Sequence, residues 1–390
     1  MMHRLEFPRA SSQSLPPHPS IPSTAGMHIG ELRDASPPPS PPPSPPPSPP
    51  QMLRVYATTW NLHGLKTPPM EILAHFLPVQ SVQADVYVVA TQECEQSIRK
   101  SFFVSSKRAW EDTLSTLLGP DYVLLRSHTL MALHIAVYAK TSLLPVLTHL
   151  SSDAVPTGLG NVLGNKGAVA VTLHLGGVSF LFVGAHLPAH QNEVAARNDA
   201  YARINRELLV GPSSAGPSSS SSSAPSSSSS PSAPDLVIDA FDVVLWMGDL
   251  NYRIDGSRSL VDKLIAAGDL EVLLANDQLS AARDAGDAFV GLDEGQISFM
   301  PTYKLDPGTS VYDTSAKARI PAWTDRILYK PSPAIDLAIY DARPGVTYSD
   351  HTPVFAEFHV YPEHGSAPLP SPSTASPLPD APPDDTCTLS

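Results

Sequence analysis

Cysteine is scarce in this chain of 390 residues, which contains only Cys94 and Cys387. Two cysteines cannot build the disulfide framework of a small secreted protein, so we expect a reduced, cytoplasmic setting. Long apolar runs are also lacking. The start, "MMHRLEFPRASS", has no apolar signal-peptide core, and no stretch reaches the roughly 18 apolar residues of a membrane span. The sequence therefore predicts neither a signal peptide nor a transmembrane helix.

Positive charge is in short supply as well. Asp and Glu number 38 against 25 Lys and Arg, which gives a formal net charge of −13. A chain with this charge repels a polyanion unless a local basic patch overrides the overall field. We therefore expect no nucleic-acid partner.

Proline is abundant but unevenly placed, because the 43 prolines concentrate at the two ends and in one internal tract. Residues 1–51 include "PPPSPPPSPPPSPP", which predicts a disordered segment of polyproline II character, the kind that SH3 and WW modules bind. Residues 211–235 predict a solvent-exposed Ser/Pro insertion, and residues 362–390 a disordered tail. Residues 52–361 remain as one globular domain.

The last four residues, "CTLS", match the C-a-a-X pattern for prenylation of Cys387, and a terminal Ser favours a farnesyl group. The alternative is an ordinary polar tail, since Thr fits the pattern poorly and no polybasic stretch precedes it. One lipid chain anchors a protein only weakly. The expectation is a cytoplasmic protein held peripherally at the cytoplasmic face of a membrane.

Short runs rich in Val, Ile, Tyr and Phe recur through the globular part and predict strands, many of them continuous and therefore covered on both faces. The runs are "LRVYATTWN", "ADVYVVATQE", "LHIAVYA", "AVAVTLHL", "VSFLFVGAHL", "FDVVLWMGDLNY", "DRILY", "IDLAIYDA" and "TPVFAEFHVY". Helical spacing is found in "EVAARNDAYARINRELL", "SLVDKLIAAG" and "LEVLLANDQLSAARDAG". This alternation predicts a core of two sheets with helices outside.

Asp249 and Asn251 follow the apolar run in "LWMGDLNYR". If the strand continues, both side chains lie on one face and could orient and deprotonate a water molecule. A lone Gly-Asp more often forms an Asx turn. The flanking "LWM" and "YR" favour the functional interpretation, because a turn needs neither.

Asn61 of "TWN" and Glu93 of "TQE" also come after strand-like runs. One carboxylate and one amide oxygen suit Mg²⁺, which keeps several waters and is completed by substrate phosphate. Each residue alone fits a helix cap or a solvated surface position better. The Mg²⁺ site is predicted because both residues occur, each after a strand-like run.

Histidines occupy similar positions. His186 ends "VSFLFVGAH", where an imidazole can donate to a phosphate oxygen. Asp350 and His351 precede the last strand, and adjacent residues on a strand point apart, so the partner of His351 is expected to be a distant carboxylate such as Asp325 of "PAWTDR".

A cluster of cations stands out in this acidic chain. It suits a multiply phosphorylated small molecule better than a nucleic-acid duplex, which needs a wide basic stripe. The alternatives are a structural ion pair for Arg326 and a solvated loop charge for Lys317. The cluster consists of Tyr303, Lys304, Lys317, Arg319 and Arg326.

"LWMGDLNYR" and "RIPAWTDRIL" resemble the two signature motifs of the inositol polyphosphate 5-phosphatases. The blocks "TWN", "TQE", "GNKGAVAV", "AHLPAHQ", "RNDAY", "PTYK" and "SDHTPVF" resemble the family's other motifs in the same order. The resemblance covers residues 53–361. It implies an α+β fold, a four-layer sandwich of two mainly antiparallel sheets flanked by helices, and Mg²⁺-dependent removal of the 5-phosphate from phosphoinositide lipids or soluble inositol polyphosphates.

The resemblance also implies roles for individual residues. Glu93 and Asn61 would bind Mg²⁺, Asp249 would activate water, and Asn251 would help hold the water and the phosphoryl group. His351, oriented by Asp325, and His186 would contact the scissile phosphate, with Asp350 in support. The substrate-binding set would comprise Tyr303, Lys304, Lys317, Arg319, Arg326 and Lys166 of "GNKG".

The sequence departs from the family in two places. The loop "TGLGNVLGNKG" keeps Leu159, Val162 and Leu163 of an apolar lipid-facing loop but is otherwise altered. The Ser-rich tract separates two blocks that belong to one site, so it is expected to be an insertion and not a domain boundary. Nuclease or sphingomyelinase activity on the same fold and a non-catalytic Pro-rich adaptor are the alternatives.

Overall fold

The computed structural model describes residues 50–94, 107–158, 160, 163–209 and 236–366. The predicted Ser-rich insertion lies outside the described residues. The same holds for residues 1–49 of the Pro-rich segment, for Leu159 and Val162 of the altered loop, and for residues 367–390 with Cys387.

The described strands form two sheets of six. The strands are β1 (Leu53–Asn61), β2 (Val86–Gln92), β3 (Tyr122–Leu130), β4 (Leu133–Lys140), β5 (Leu147–Pro156), β6 (Gly167–Leu175), β7 (Val178–His186), β8 (Val243–Asp249), β9 (Asp293–Glu294), β10 (Asp325–Tyr329), β11 (Ile335–Ala342) and β12 (Val354–Val360). The first sheet has the order β11-β12-β1-β2-β4-β3, and the second has the order β5-β6-β7-β8-β10-β9.

Each sheet has one parallel pair at its centre, β1 with β2 in the first and β7 with β8 in the second. All other neighbouring strands are antiparallel. The predicted α+β sandwich of two mainly antiparallel sheets is therefore confirmed.

Helices cover the outer faces of the sheets. They are α1 (Met70–Phe76), α2 (Val79–Val82), α3 (Arg108–Leu118), α4 (Val194–Glu207), α5 (Arg258–Ala267), α6 (Leu270–Leu274) and α7 (Gln278–Asp284), with short 3-10 segments at Thr141–Val146, Val237–Ala240 and Pro362–His364. Phe76 and Trp110 belong to an apolar cluster on the first sheet, and Tyr201 and Leu279 to one on the second. Among the described residues, no helix is long and apolar enough to cross a membrane.

The continuous apolar runs predicted as central strands are buried on both faces. Every residue of β7 is buried, and its side chains alternate between two clusters. Phe180 and Phe182 lie in the core between the sheets, whereas Leu181 and Val183 lie under the helices. Since both faces exclude water, the strand has no polar alternation.

Two strands and one helix that differ from the sequence prediction do so for a clear physical reason. The strands β3 and β5 have polar sequences because they lie at sheet edges, where nearly every residue is partly exposed. The predicted single helix over residues 270–286 is instead α6 and α7, since Asp277 accepts from the Ser280 N–H and caps a new helix.

Candidate active site

Polar residues from both sheets meet at one rim of the sandwich. Asn61 ends β1, Glu93 follows β2, His186 ends β7 and Asp249 ends β8. These strands are the two parallel pairs, so each sheet presents two carboxyl ends at the same edge. The Asn61 Nδ2 donates to Asp249 Oδ2 at 2.9 Å and joins the two sheets there.

A single row of the second sheet carries much of the site. Gly167 lies opposite His186, His186 opposite Asp249, and Asp249 opposite Asp325. Residues directly opposite in register extend from the same face of a sheet. The pairing register therefore collects side chains that are up to 139 positions apart in the sequence, from His186 to Asp325.

The backbone next to Asp249 requires glycine. Gly248 has φ of 146°, and a Cβ there would lie 1.9 Å from the Ala185 carbonyl oxygen. Glu93 and Asn251 have φ of 51° and 59°, in the left-handed region that non-glycine residues rarely adopt. Such conformations cost energy and cluster at functional sites, where the surrounding structure enforces them.

Asp249 is 2% exposed, and both of its carboxylate oxygens have polar partners. Its Oδ2 lies 3.2 Å from His186 Nε2, and its Oδ1 accepts from the Asn251 N–H at 3.1 Å. Burial alone would raise the pKa of Asp249, but His186, followed by His351 and Lys166, outweighs it and holds this pKa well below its usual range. Asp249 is therefore a carboxylate at neutral pH.

Lys166 extends this group from the start of β6. Its Nζ hydrogen-bonds to His186 Nε2. Burial lowers the pKa of Lys166 to about 8, although Asp249 and Glu93 act in the opposite direction. Burial also lowers the pKa of His186, and the charge of Lys166 adds to that effect.

The structure brings His351 and Asp325 together. The Nδ1 of His351 lies 2.9 Å from Asp325 Oδ2, which also accepts from the hydroxyls of Thr302 at 2.7 Å and Thr324 at 2.9 Å. Burial lowers the pKa of His351, but Asp325 outweighs it and raises this pKa to about 9. The ring is therefore an imidazolium at neutral pH, with Nε2 left to donate.

Asp350 lies on the side of the site that carries Lys304, Lys317 and Arg319, here called the cationic side. It accepts from Lys304 Nζ at 2.6 Å and lies 3.2 Å from His63 Nδ1. Its Oδ1 is 3.9 Å from His351 Nε2. The contact with Asp350 raises the pKa of Lys304 even though partial burial lowers it.

Tyr303 and the loop 313–320 complete this side. The ring of Tyr303 packs against His351 with centroids 4.4 Å apart and ring planes tilted by 35°. The Asp313 N–H donates to the Lys304 carbonyl at 2.8 Å, which places the loop carrying Lys317 and Arg319 beside Lys304. The charged groups of Lys317 and Arg319 form no hydrogen bond or ion pair with the described residues, so both are free to meet an anion.

Arg326 was predicted to bind substrate, and the structure corrects this prediction. It is 1% exposed, and its guanidinium binds Glu294 through two bonds of 2.6 Å and Asp277 at 2.8 Å. Alternation along β10 turns it away from Asp325, its neighbour in the site. A buried cation between two carboxylates holds elements together, so Arg326 is a structural residue.

Sequence reasoning did not assign roles to four residues that hold the site. Arg253 binds Asn251, Gln278 binds Arg253, and the hydroxyls of Thr302 and Thr324 bind Asp325. Arg253, Thr302 and Thr324 lie inside the motifs "LWMGDLNYR", "PTYK" and "PAWTDR", which marked the positions but not the partners.

Two donor sets could hold a cation. Within the described residues, Asp249, Asp325 and His351 have ligand atoms within 4.8 Å of one another, but His351 could bind a cation only after losing the proton that its raised pKa retains. The carboxylate of Glu93 forms no hydrogen bond or ion pair with the described residues, yet its charge acts on Lys166 and His186. A carboxylate left unpaired at a buried rim fits a cation ligand.

Asn61 and Cys94 are the remaining residues of this rim. Asn61 Oδ1 accepts from the His63 N–H at 2.9 Å while its Nδ2 holds Asp249, so its oxygen retains one lone pair for a cation. Cys94 is buried in the apolar cluster on the first sheet, and its carbonyl accepts from Lys107 Nζ at 2.7 Å. These surroundings fit a packing role.

Comparisons with known proteins agree with this geometry. The family described as "Endonuclease/Exonuclease/phosphatase family 2" matches residues 58–357. Human phosphatidylinositol polyphosphate 5-phosphatase type IV is 33% identical over 313 residues, which are 78% of this chain and 46% of the relative. Mouse type II inositol 1,4,5-trisphosphate 5-phosphatase is 34% identical over 315 residues, which are 80% of this chain and 30% of the relative. The chain thus spans less than half the length of these curated relatives.

One solved structure is matched over a larger share of its own length than these relatives are. The inositol polyphosphate 5-phosphatase domain of SPsynaptojanin, crystallised with inositol (1,4)-bisphosphate and a calcium ion, is 31% identical with a TM-score of 0.66. The match covers 79% of this chain and 84% of that domain. On the fold, the motif order and these similarities, this chain belongs to the inositol polyphosphate 5-phosphatase family.

Proposed function

We propose that this chain hydrolyses the 5-phosphate of inositol phosphates, either as soluble inositol polyphosphates or as phosphoinositide lipids, with Mg²⁺ as its cation. The observation that carries the proposal is the rim itself, where Asp249, His186 and His351 face Lys304 and Tyr303. Inositol (1,4)-bisphosphate, the ligand of the SPsynaptojanin domain, is what remains of the 1,4,5-trisphosphate after the 5-phosphate is removed.

Asp249 would align the attacking water. As a buried carboxylate held by Asn61 and His186, it can accept a hydrogen bond from water in one direction only. Its low pKa makes positioning its main contribution, because a weak base removes a proton poorly. Fixing a nucleophile in line is worth several powers of ten in rate.

His351 would bind the phosphoryl group as a cation. Asp325 holds Nδ1, so the Nε2–H is the group that can donate to a phosphoryl oxygen. Lys166 and His186 would lie on the opposite side and add positive charge and a further donor. Because charge develops on the phosphoryl oxygens during transfer, preorganised donors of this kind lower the barrier.

The cation would be held by Glu93 with Asn61 or Asp249. A bound divalent ion supplies positive charge to the phosphoryl oxygens and acidifies water. Carboxylate and amide oxygens without a thiolate favour a hard ion such as Mg²⁺. The calcium ion of the SPsynaptojanin domain supports an oxygen-ligated site of this type.

The cationic side would select the substrate. Lys304, Lys317 and Arg319 have charged groups that can reach a second phosphate on the inositol ring, with Tyr303 beside them. A small molecule with two adjacent phosphates matches this compact patch. The formal net charge of −13 opposes a long polyanion, so nucleic acid remains excluded from the proposal.

Phosphate release from a substrate panel tests the function. The panel contains inositol 1,4,5-trisphosphate, the 4,5-bisphosphate lipid in vesicles, inositol 1,4-bisphosphate and abasic DNA, each with Mg²⁺ or EDTA. We expect Mg²⁺-dependent release only from molecules with a 5-phosphate, and loss of at least about 100-fold in kcat for Asp249→Ala. Cleavage of abasic DNA without phosphate release would instead establish a nuclease, and full turnover by Asp249→Ala would remove the proposed role of this residue.

We also propose that the chain acts at a cytoplasmic membrane face through farnesylated Cys387, and that "PPPSPPPSPP" binds SH3 or WW modules. Both segments lie outside the described residues, and the proposals rest on their sequences. Retention of such modules by the full chain, lost when residues 37–50 are deleted, tests the second proposal. Equal retention after the deletion would contradict it.

A further inference from the structure

Arg253 grips both oxygens of Asn251. Its Nε donates to the Asn251 carbonyl at 3.0 Å, and its Nη2 donates to Asn251 Oδ1. Arg253 as a whole is buried, with 6% of its surface exposed. One side chain therefore fixes both the left-handed backbone of Asn251 and the orientation of its amide.

The amide orientation limits what Asn251 can do. Its Oδ1 faces the guanidinium, so Nδ2 is the atom on the other side, where it donates to the Leu187 carbonyl at 3.1 Å. An amide nitrogen carries two hydrogens, and one of them remains. The Nδ2 of Asn251 thus retains one hydrogen that it can donate to a ligand.

Arg253 is itself placed by two contacts. Its backbone N–H donates to Gln278 Oε1 at 2.9 Å. Its guanidinium lies 4.8 Å from the centroid of the Tyr303 ring, whose other neighbour is His351. A stacked planar guanidinium loses little freedom when it also forms a hydrogen-bonded fork.

Gln278 connects Arg253 to the loop after His186. Its Oε1 also accepts from Arg197 Nη2 at 2.7 Å, and its Nε2 donates to Asp255 Oδ1 at 2.6 Å and to the Gln191 carbonyl at 3.1 Å. All four hydrogen-bonding positions of this amide are therefore used. Arg197 in turn holds the carbonyls of Pro188 and His190 at 3.2 and 2.8 Å.

We propose that Arg253 is a positioning residue, held by Gln278 and Arg197, that keeps the amide nitrogen of Asn251 directed at the phosphoryl group. Arg253 does not touch the substrate in this scheme. Its effect passes through Asn251, which acts as a hydrogen-bond donor to the group being transferred. The inference rests on the proposed phosphatase function and names a further contribution to the same site.

A double-mutant cycle separates this role from a general structural one. We expect Arg253→Met to lower kcat by about 10- to 100-fold with little change in KM, the usual cost of losing a supporting contact. In an Asn251→Ala background, the same substitution should cause no further loss, because residues that act as one unit are not additive. An equal loss in both backgrounds would overturn the proposal.

Arg343→Met is the matched control. Arg343 also stacks on an aromatic ring, 3.8 Å from the centroid of Phe355, and donates to the Tyr56 hydroxyl at 3.3 Å, within the other sheet. We expect its kcat to stay within twofold of the wild type. A fall in kcat equal to that of Arg253→Met would mean that loss of any stacked arginine disturbs the site, which would refute a specific role.

Gln278→Glu provides a second variant of nearly unchanged shape. It replaces the Nε2 donor with an oxygen facing Asp255 Oδ1 and the Gln191 carbonyl, but keeps an acceptor for Arg253. We expect a smaller loss of kcat, again absent in the Asn251→Ala background. Added guanidinium should partly restore the kcat of Arg253→Ala. If kcat is neither lowered by Gln278→Glu nor restored by guanidinium, Gln278 and Arg253 do not position Asn251.

A spectroscopic measurement keeps the inference independent of turnover. In protein with ¹⁵N-labelled asparagine, the Asn251 side-chain amide should show two distinct protons, and the one bonded to the Leu187 carbonyl should exchange slowly. In Arg253→Met, the signals should broaden and this slow exchange should be lost. If the wild type released no phosphate, the proposed function would fail while this readout still tested the placement of Asn251. Unchanged amide signals in Arg253→Met would overturn the inference about Arg253 and leave the proposed phosphatase function untouched.

Discussion

Replacing Arg326 by Met should destabilise the fold and leave the chemistry intact. The guanidinium lies among three elements around β10. It binds Glu294 of β9 through Nε and Nη2, and Asp277, the cap of α7, through Nη1. Tyr340 of β11 donates to the same Glu294 at 2.8 Å. Met fills a similar volume but leaves buried Asp277 without its cation and Glu294 with only Arg283, whose Nη1 lies 3.9 Å from Oε2.

The size of the destabilisation follows from the burial of the two carboxylates. Glu294 and Asp277 have side chains 5% and 0% exposed. Removing one partner from a buried ion pair costs about 3–5 kcal/mol, because the remaining charge is neither solvated nor paired. For a domain of this size, each kcal/mol lowers Tm by about 2–4 °C, so we expect a fall of about 6–20 °C.

The assay combines thermal unfolding with kinetics below the transition. Arg326→Met should keep kcat and KM within about twofold per folded molecule while Tm falls. Arg319→Met is the opposite control, since its guanidinium bonds to no described residue, and it should raise KM at unchanged Tm. A raised KM at unchanged Tm for Arg326→Met would restore the substrate-binding role and refute the structural one.

Further predictions concern the backbone, pH and the tail. Gly248→Ala places a Cβ 1.9 Å from the Ala185 carbonyl and should lower Tm and abolish activity, whereas Gly345→Ala meets nothing within 4 Å and should change neither; equal Tm values would contradict the steric argument. The His351 pKa of about 9 exceeds its ordinary value of 6.5, so its stabilisation is complete below pH 6.5 and is lost as the pH rises through about 9. In EDTA, the free energy of unfolding should therefore fall by about 3 kcal/mol over that range, and urea titrations of Asp325→Asn should show a much flatter profile; a flat wild-type profile would be inconsistent with a charged His351. Cys387→Ser should move the protein from membrane to soluble fractions while Cys94→Ser does not, and unchanged fractionation would argue against prenylation.

The central strands were predictable because their sequences are shaped by local surroundings. Strand β7 is buried on both faces, so its apolar run in "VSFLFVGAH" directly reports its environment. Strands β3 and β5 were missed since an edge position gives no such pattern. The helix after Leu270 was interrupted by the Asp277 cap, whose carboxylate is also held by Arg326, a contact that sequence spacing does not reveal.

Residue chemistry and motif order, which are properties of the sequence alone, determined the family resemblance and the membership of most of the site. Tertiary structure decided which partner each group has. Arg326 and Arg319 carry the same charge, but the pairing of β8, β9 and β10 buries Arg326 between carboxylates. The guanidinium of Arg319 bonds to no residue in the part of the chain that the structure describes. The pair of Asp325 and His351 was expected from the sequence and is present in the fold, whereas the bonds from Arg253 to both oxygens of Asn251 were seen only in the folded chain. The physical reason is that charge and hydrogen-bonding capacity belong to a residue, whereas burial and partners belong to its place in the fold.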